Sequence, residues 1–262
     1  MGEVLAQTPP GEQLSAEKIM EESQLAFHYA GDDMKAKITM ELIGRDGRKR
    51  TRVLTMFRRD TVEGGNQKFF IYFHEPADVR RMTFVVWKYP EKEDDRWIFV
   101  PAVDLIRRIA VDDKHSSFVG SDFAYEDVSG RDVSADTHTF VREEKLGDQA
   151  SYVIQSVPKA VADYAKRLSW IDKQNHLPLK EEYYDAQDEL FRVFTADKVE
   201  DVAAGEGERR RVFPMVTQRT MNNVKSGHRT EVRFTSVTFN LGLDDADFSE
   251  RTMRHPPRGW TQ

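Results

Sequence analysis

Residues 34–42 read Met-Lys-Ala-Lys-Ile-Thr-Met-Glu-Leu, and this stretch decides the class of fold. Every second side chain in it is apolar, at Met34, Ala36, Ile38, Met40 and Leu42. A period of two places such a set on one face of a β-strand and the intervening polar set on the other. The stretch therefore predicts a strand with one face buried and the other in contact with water.

The segments that follow have the same character. Asp46-Gly47 is a hairpin signal, so residues 49–59 are predicted to return antiparallel to the first strand. Short apolar segments bounded by turn residues predict further strands at 68–73, 82–89, 96–100, 105–109, 137–143, 151–157, 166–172, 179–185, 190–195, 213–221 and 228–237. About a dozen strands with hairpin-length connections predict an antiparallel meander that must curl.

Four segments depart from this rhythm. A helix is predicted from Ser15, its N-cap, to Ala30, because apolar residues recur there at helical spacing. Residues 111–135 are polar and predict an excursion of helix or loop. Residues 202–211 contain two glycines among charges and predict a mobile loop, and residues 244–253 can hold a short helix.

The bulk composition excludes several functional classes. The formal net charge is −6, whereas nucleic-acid-binding domains are usually strongly basic. No apolar run approaches the roughly twenty residues of a membrane-spanning helix. The chain has no cysteine, which excludes disulfides, thiolate catalysis and cysteine-ligated zinc. We expect no cofactor, no metal, no nucleic-acid partner and no integral membrane segment.

Several stretches of the chain occur in the order and spacing of a known family. They are Pro76–Arg80, Phe84–Trp87, Asp94–Ala102, Arg107–Ile109, Ser117–Asp127 and Trp170–Lys180. Together they resemble the LolA-like branch of the outer-membrane lipoprotein-sorting proteins, and the Gly-Ser-Asp-Phe run at 120–123 is the most specific part. One departure is Arg81-Met82, where the family pattern leads us to expect a glycine; it affects the turn there and leaves the fold unchanged.

The resemblance implies an α+β fold, mainly antiparallel β. In it, a curved sheet forms an incomplete β-barrel, covered by an N-terminal helix and a helical or loop lid. It also implies export to the periplasm of a Gram-negative-type bacterium. We interpret residues 1–13 as a signal-peptide remnant and linker, with an ordinary unstructured start as the alternative. Residues 14–255 are then a single β domain, and 256–262 a tail.

Family membership would imply a non-catalytic carrier that shields the acyl chains of a lipoprotein or another lipid in transit. This branch is often associated with lipid-exporting transporters of the resistance–nodulation–division type, so such a transporter or another membrane partner is expected, and the carrier itself is expected to be a monomer. The predicted apolar cavity is lined by Ile38, Met40, Phe69, Ile71, Phe73, Trp87, Trp97, Phe99 and Trp170. A plain hydrophobic core is the alternative interpretation of each of these side chains.

Four polar residues are candidates for a headgroup or a lid contact. The pair Arg107 and Arg108 could meet a phosphate or carboxylate, or could fasten the 111–135 excursion through Asp122, Glu126 or Asp127. A lipid-sensing module that docks on a membrane transporter or regulator is the second hypothesis. An esterase-like hydrolase using Ser121 or Ser116 is the third, although Gly120-Ser121-Asp122 lacks the strand–turn–helix setting and the second glycine of a nucleophile elbow.

Overall fold

A computed structural model of the chain describes residues 14–207 and 210–261. The segment interpreted as a signal-peptide remnant, residues 1–13, lies outside the described residues. In the part that is described, no helix is both long and apolar enough to cross a membrane.

Helix α1 spans Ala16–His28 and begins as the sequence predicts. The Ser15 hydroxyl accepts a hydrogen bond from the backbone N–H of Lys18 at 3.1 Å, which satisfies one of the free donors of the first turn. Ala16, Ile19 and Met20 are buried against the sheet. Two shorter helices follow later in the chain, α2 at Tyr125–Ser129 and α3 at Glu250–Arg254.

Within the described residues, thirteen strands form one sheet. They are β1 Asp33–Ile43, β2 Lys49–Asp60, β3 Gln67–Glu75, β4 Thr83–Lys88, β5 Asp95–Val100, β6 Leu105–Arg108, β7 Asp136–Leu146, β8 Gln149–Pro158, β9 Lys166–Asp172, β10 Pro178–Tyr184, β11 Leu190–Ala204, β12 Arg211–Asn223 and β13 His228–Phe239. The order across the sheet is β6-β5-β4-β3-β2-β1-β13-β12-β11-β10-β9-β8-β7. All neighbouring strands are antiparallel.

The chain order explains why the sheet stays open. It starts at the centre with β1, winds out to one edge at β6, crosses to the other edge at β7, and returns to pair β13 with β1. Residues 109–135 make that crossing and are called the covering segment below. The predicted curved, mainly antiparallel sheet that forms an incomplete barrel is confirmed.

One face of the sheet, called the inner face, carries a continuous apolar cluster. The alternation predicted for residues 34–42 is present, because Met34, Ala36, Ile38, Met40 and Leu42 are all buried in it. The cluster also takes in side chains from β2 to β5, from β10 to β13 and from the covering segment. Side chains from both halves of the sheet can join one cluster because the sheet curves around it.

The opposite, outer face carries a second cluster under the C-terminal segment. Phe57 and Phe70 pack there with Phe248, Met253 and Trp260. The Trp260 ring stacks on Phe57, with centroids 4.0 Å apart. The predicted domain boundary at residue 255 is therefore too early, because a residue of the supposed tail completes this cluster.

The prediction of a loop at residues 202–211 is wrong at both ends. β11 continues to Ala204 and β12 begins at Arg211, with Val202 paired to Phe213 across the ladder. Alternation continues into this region, since Val202 and Phe213 pack against the inner cluster while the neighbouring charged residues Asp201 and Arg211 are exposed. High charge on the solvated face concealed the strand.

Candidate functional site

The nine apolar candidates divide between the two faces. Ile38, Met40, Phe69, Ile71 and Phe73 belong to the inner cluster. Phe99, Trp87 and Trp97 belong to the outer cluster. Trp170 faces outward as well: its neighbour Ile171 packs with α1, and its own indole N–H donates to Glu144 at 3.1 Å.

A single cavity lined by all nine residues is therefore excluded. On β4 and β5 both faces are apolar, so the size of a side chain does not indicate which face it lies on. The inner face takes Phe84, Val86 and Ile98, while the larger Trp87 and Trp97 lie on the outer face and contact each other edge to face at 5.0 Å. The alternation of side chains along one strand does not indicate which of two apolar faces is the inner one.

The covering segment is fastened over the inner face at several points. The backbone N–H of Asp122 donates to the Thr230 hydroxyl at 3.0 Å, and the Asp122 carboxylate accepts from that hydroxyl at 2.7 Å and contacts His228 Nδ1 at 2.6 Å. The buried Lys88 ammonium donates to the carbonyl of Gly130 at 2.7 Å. Phe118, Phe123 and Tyr125 of the segment enter the inner cluster.

The four polar candidates have separate roles in this arrangement. Asp122 fastens the covering segment to β13, as just described. Glu126 is buried and pairs with Arg131 at 3.2 Å within the segment. Arg108 is exposed and pairs with Asp95, and Arg107 is exposed at the sheet edge. The hypothesis that the arginine pair fastens the segment through Asp122, Glu126 or Asp127 is therefore wrong, since all three carboxylates have other partners.

The C-terminal end of α1 is fixed by β2 and β3. The buried Arg58 guanidinium donates to the carbonyls of His28 at 2.6 Å, Ala30 at 2.5 Å and Gly31 at 2.7 Å. These carbonyls lie at the negative end of the helix dipole, where a cation is favoured. Arg58 also pairs with buried Asp60 at 3.1 Å. The helix is thus a second cover, held from its last turn.

Three small cavities lie between the inner face and these two covers. The first, about 90 Å³, is bordered by charged residues of β9 to β12 and of the covering segment. The second, about 50 Å³, lies under α1 and beside Met34, Met56 and Phe69. The third, about 30 Å³, lies under Phe118 and Phe123 and is bordered by Ile38 and Met40.

The first cavity is bordered by arginines that are mostly ion-paired. Arg192 contacts the Asp163 carboxylate at 3.1 Å and Asp127 at 3.4 Å. Arg167 contacts Glu181 at 3.2 Å. Burial raises the pKa of Asp127. This charged group was missed by sequence reasoning, although Arg192 stands two residues from buried Phe194 on one strand, which is the signal that could have found it.

Serine chemistry has little support in the geometry. The Ser121 hydroxyl donates to the carbonyl of Phe118 at 2.7 Å and shapes the turn. His115 lies near Glu126 at 3.5 Å. Among the described residues the serine–histidine contact is His138 Nδ1 with Ser156 Oγ at 2.9 Å; both residues are buried and neither lines any of the three cavities.

A family described as uncharacterized protein-like has a sequence model that matches residues 65–255. No curated protein has a matching sequence.

Two solved structures are 26% identical to the chain, each with a TM-score of 0.79. One is a domain assigned to the outer membrane lipoprotein-sorting proteins from Vibrio parahaemolyticus, which covers 91% of this chain and 98% of its own. The other is a DUF1329 family protein from Desulfovibrio piger, covering 90% and 95%.

A third solved structure extends the likeness of fold. The LolA superfamily protein NE2245 from Nitrosomonas europaea is 18% identical, with a TM-score of 0.68, and covers 91% of this chain and 99% of its own. The resemblance to the lipoprotein-sorting family stated from the sequence is confirmed. The fold is shared with a domain assigned to the outer membrane lipoprotein-sorting proteins and with a LolA superfamily protein.

Proposed function

We propose that this chain, which belongs to the family whose model matches residues 65–255, is a non-catalytic periplasmic carrier that binds acyl chains of a lipoprotein or another lipid on its inner face. One observation carries the proposal. A large apolar face is closed by two covers, α1 and the covering segment, that are not strands of the sheet. Apolar surface that is covered by separable segments can be uncovered for a guest without breaking the sheet.

Uncovering is required because the closed interior is nearly full. A dry cavity of about 150 Å³ is the size that accommodates benzene, and the largest of the three cavities between the inner face and its covers is about 90 Å³. A long acyl chain therefore needs Phe118, Phe123 and α1 to move away from the inner face. Burial of the chain then contributes about 0.8 kcal/mol for each methylene, which can offset the contacts that are lost.

A disulfide lock tests this proposal directly. The chain has no cysteine, so Asp122→Cys with Thr230→Cys, whose native side chains are in contact at 2.7 Å, can join the covering segment to β13 without competing thiols. We expect the oxidised protein to take up a fluorescent fatty acid at least tenfold more slowly than the reduced protein. The reduced form of the same variant is the control.

Equal uptake by the oxidised and reduced forms would contradict opening at this cover. Failure of the unlocked protein to bind fatty acid, phospholipid or acylated peptide would overturn the carrier function itself. Native mass spectrometry of the gently purified protein supplies an independent measurement, because a carrier retains lipid from the cell.

The recipient is proposed from the resemblance alone. We infer that a membrane partner, of which a resistance–nodulation–division-type transporter is the first candidate, accepts the lipid. Capture of detergent-solubilised membrane proteins with lipid-loaded and lipid-free carrier tests this. Preference of the partner for the loaded form supports delivery, whereas equal capture favours the lipid-sensing module.

A further inference from the structure

Arg219 occupies an unusual place on the inner face. It lies on β12, paired with Val232 of β13, and its side chain borders all three cavities. Val232 and Met221 on the same face belong to the apolar cluster. A guanidinium therefore stands in the middle of an apolar surface, which is uncommon for a residue without a partner.

Arg219 differs from the other arginines around the first cavity. Arg131, Arg167 and Arg192 each lie within 3.2 Å of a carboxylate. Within residues 14–207 and 210–261, Arg219 has no ion pair and no side-chain hydrogen bond, and its Nε is buried without an acceptor. A partly buried cation without an ion-pair partner within 4 Å is costly to the free protein, and Arg219 is such a cation.

Three aromatic rings surround the guanidinium instead of a carboxylate. The distances from its central carbon to the ring centroids are 5.4 Å for Phe27, 5.6 Å for Phe123 and 5.1 Å for Phe234. Cation–π contacts stabilise the charge only in part. Burial lowers the pKa of Arg219 to about 10, so the side chain remains a cation at neutral pH.

The cavities differ in polarity on the two sides of Arg219. The first cavity is bordered by charged groups, including Asp127 and Arg192. The second and third are bordered mainly by apolar side chains, with Met56 and Val128 common to both. Besides Arg219, the charged side chains there are Arg58 at the second cavity and Asp127 at the third. A molecule that extends from the first cavity into the other two passes from a polar to an apolar environment, and Arg219 stands at the boundary.

We propose that Arg219 binds the anionic headgroup of a long-chain amphiphile whose alkyl chain lies along the second and third cavities. This rests on the proposed function and specifies its cargo: a carboxylate or phosphate carried on an acyl chain, in preference to a neutral lipid. A planar guanidinium forms paired hydrogen bonds with either group. The headgroup supplies the direct ion-pair partner that Arg219 does not have among residues 14–207 and 210–261.

The same contact links binding to opening. Phe27 belongs to α1 and Phe123 to the covering segment, so both covers touch the guanidinium through an aromatic ring. An anion at Arg219 replaces these contacts with a stronger one. Headgroup binding thereby favours displacement of the covers, which the acyl chain requires.

Palmitate and its neutral analogue hexadecanol test the charge requirement. We expect native protein to bind palmitate more tightly, in competition with a fluorescent fatty acid at pH 8. Arg219→Met should weaken palmitate binding by about tenfold to a hundredfold, the value of a charge-assisted hydrogen bond, and should change hexadecanol binding by less than about threefold. Arg219→Lys should restore part of the preference.

Arg52→Met is the matched control. Arg52 is also buried, with Nε and Nη1 lacking partners, but it borders none of the three cavities. We expect it to leave the preference for palmitate unchanged. A melting curve adds a second readout. Arg219→Met should melt no lower than the native protein, because a partly buried charge without an ion-pair partner is removed. Loss of an arginine that only stabilised the fold would lower the melting temperature.

The outcomes separate the two proposals. If both ligands bind and Arg219→Met leaves their ratio unchanged, the headgroup assignment is overturned and the carrier function stands. If neither ligand binds to the native protein, both are overturned. Comparing lysophosphatidic acid with palmitate distinguishes a phosphate from a carboxylate headgroup. If inorganic phosphate competes with the fluorescent fatty acid as strongly as palmitate does, Arg219 is a simple anion site and the proposal of an amphiphilic ligand is overturned.

Discussion

Arg81 shows how a single departure from the family pattern can be interpreted physically. The sequence places arginine where a glycine is expected, and the structure gives this residue a φ of +66°. Its backbone N–H nevertheless donates to the carbonyl of Phe73 at 2.9 Å and closes the turn between β3 and β4. The turn is therefore retained, in a conformation that residues with a Cβ rarely adopt.

Arg81→Gly should increase the free energy of unfolding by about 0.5 to 1 kcal/mol. Relief of left-handed strain, roughly 1 to 2 kcal/mol, exceeds the added entropy of glycine in the unfolded chain. The measurement is chemical denaturation. Arg80→Gly, at the preceding exposed residue, is the control and should be neutral or destabilising. A loss of stability in Arg81→Gly would mean that the arginine side chain contributes more than its backbone costs.

At the scale of elements, the two covers are held by buried polar contacts and by apolar packing. The contacts are located at the last turn of α1 and at Asp122, while the apolar residues between them pack on the sheet. Because charged side chains make several of these contacts, small changes in charge can alter how firmly a cover is held.

His28, the last residue of α1, makes this cover sensitive to acid. Burial, and then the charges of Lys88, Arg219, Arg58 and Arg167, hold its pKa well below the usual range. The unfolded chain therefore takes up a proton first as the pH falls through about 6.5. Stability from the neutral ring is complete above that pH, and below it about 1.4 kcal/mol is lost per pH unit until the folded-state pKa is reached.

We expect native protein to lose stability relative to His28→Gln between pH 6.5 and 5. Asp60, whose pKa burial raises to about 7, acts in the opposite direction, but it is present in both proteins and leaves their difference unaffected. Hydrogen exchange of residues 16–28 should quicken over the same range in the native protein alone. Parallel stability curves for the two proteins would show that His28 is not the responsible group.

At the scale of the whole molecule, the sheet separates two apolar layers with different roles. The inner layer has two covers that are not strands of the sheet, and it has cavities along it. The outer layer is closed by the C-terminal segment, with Trp260 and Phe248 buried on Phe57. We infer that the outer layer stabilises the sheet and that lipid chemistry belongs to the inner one.

Trp260→Ala should lower the free energy of unfolding by about 3 to 5 kcal/mol, as for other large aromatic deletions from a core. Well below its melting temperature it should bind palmitate with unchanged affinity, since Trp260 lies on the far side of the sheet. Val62→Ala, at an exposed position, is the control for stability. Weakened palmitate binding by the folded variant would place the lipid site on the outer face.

The amino-acid sequence by itself determined the class of fold and most strand positions. Alternation in residues 34–42, turn signals and the N-cap Ser15 act locally. They can therefore be interpreted without knowing which elements pack against one another. The stretches shared with the lipoprotein-sorting family added the open barrel and its covers. Five of nine cavity candidates, on β1 and β3, fall on the inner face for the same local reason.

Only the tertiary structure decided which segments of the chain cover each apolar face of the sheet. Trp97 and Phe99 look equivalent to Phe69 in sequence, but the C-terminal segment, more than a hundred residues further on, packs on their side of the sheet. Nor could Arg219 be distinguished from the other arginines by spacing alone. Whether a buried guanidinium has a partner depends on carboxylates brought close by strand pairing and by the covering segment, and those are contacts between residues far apart in the chain.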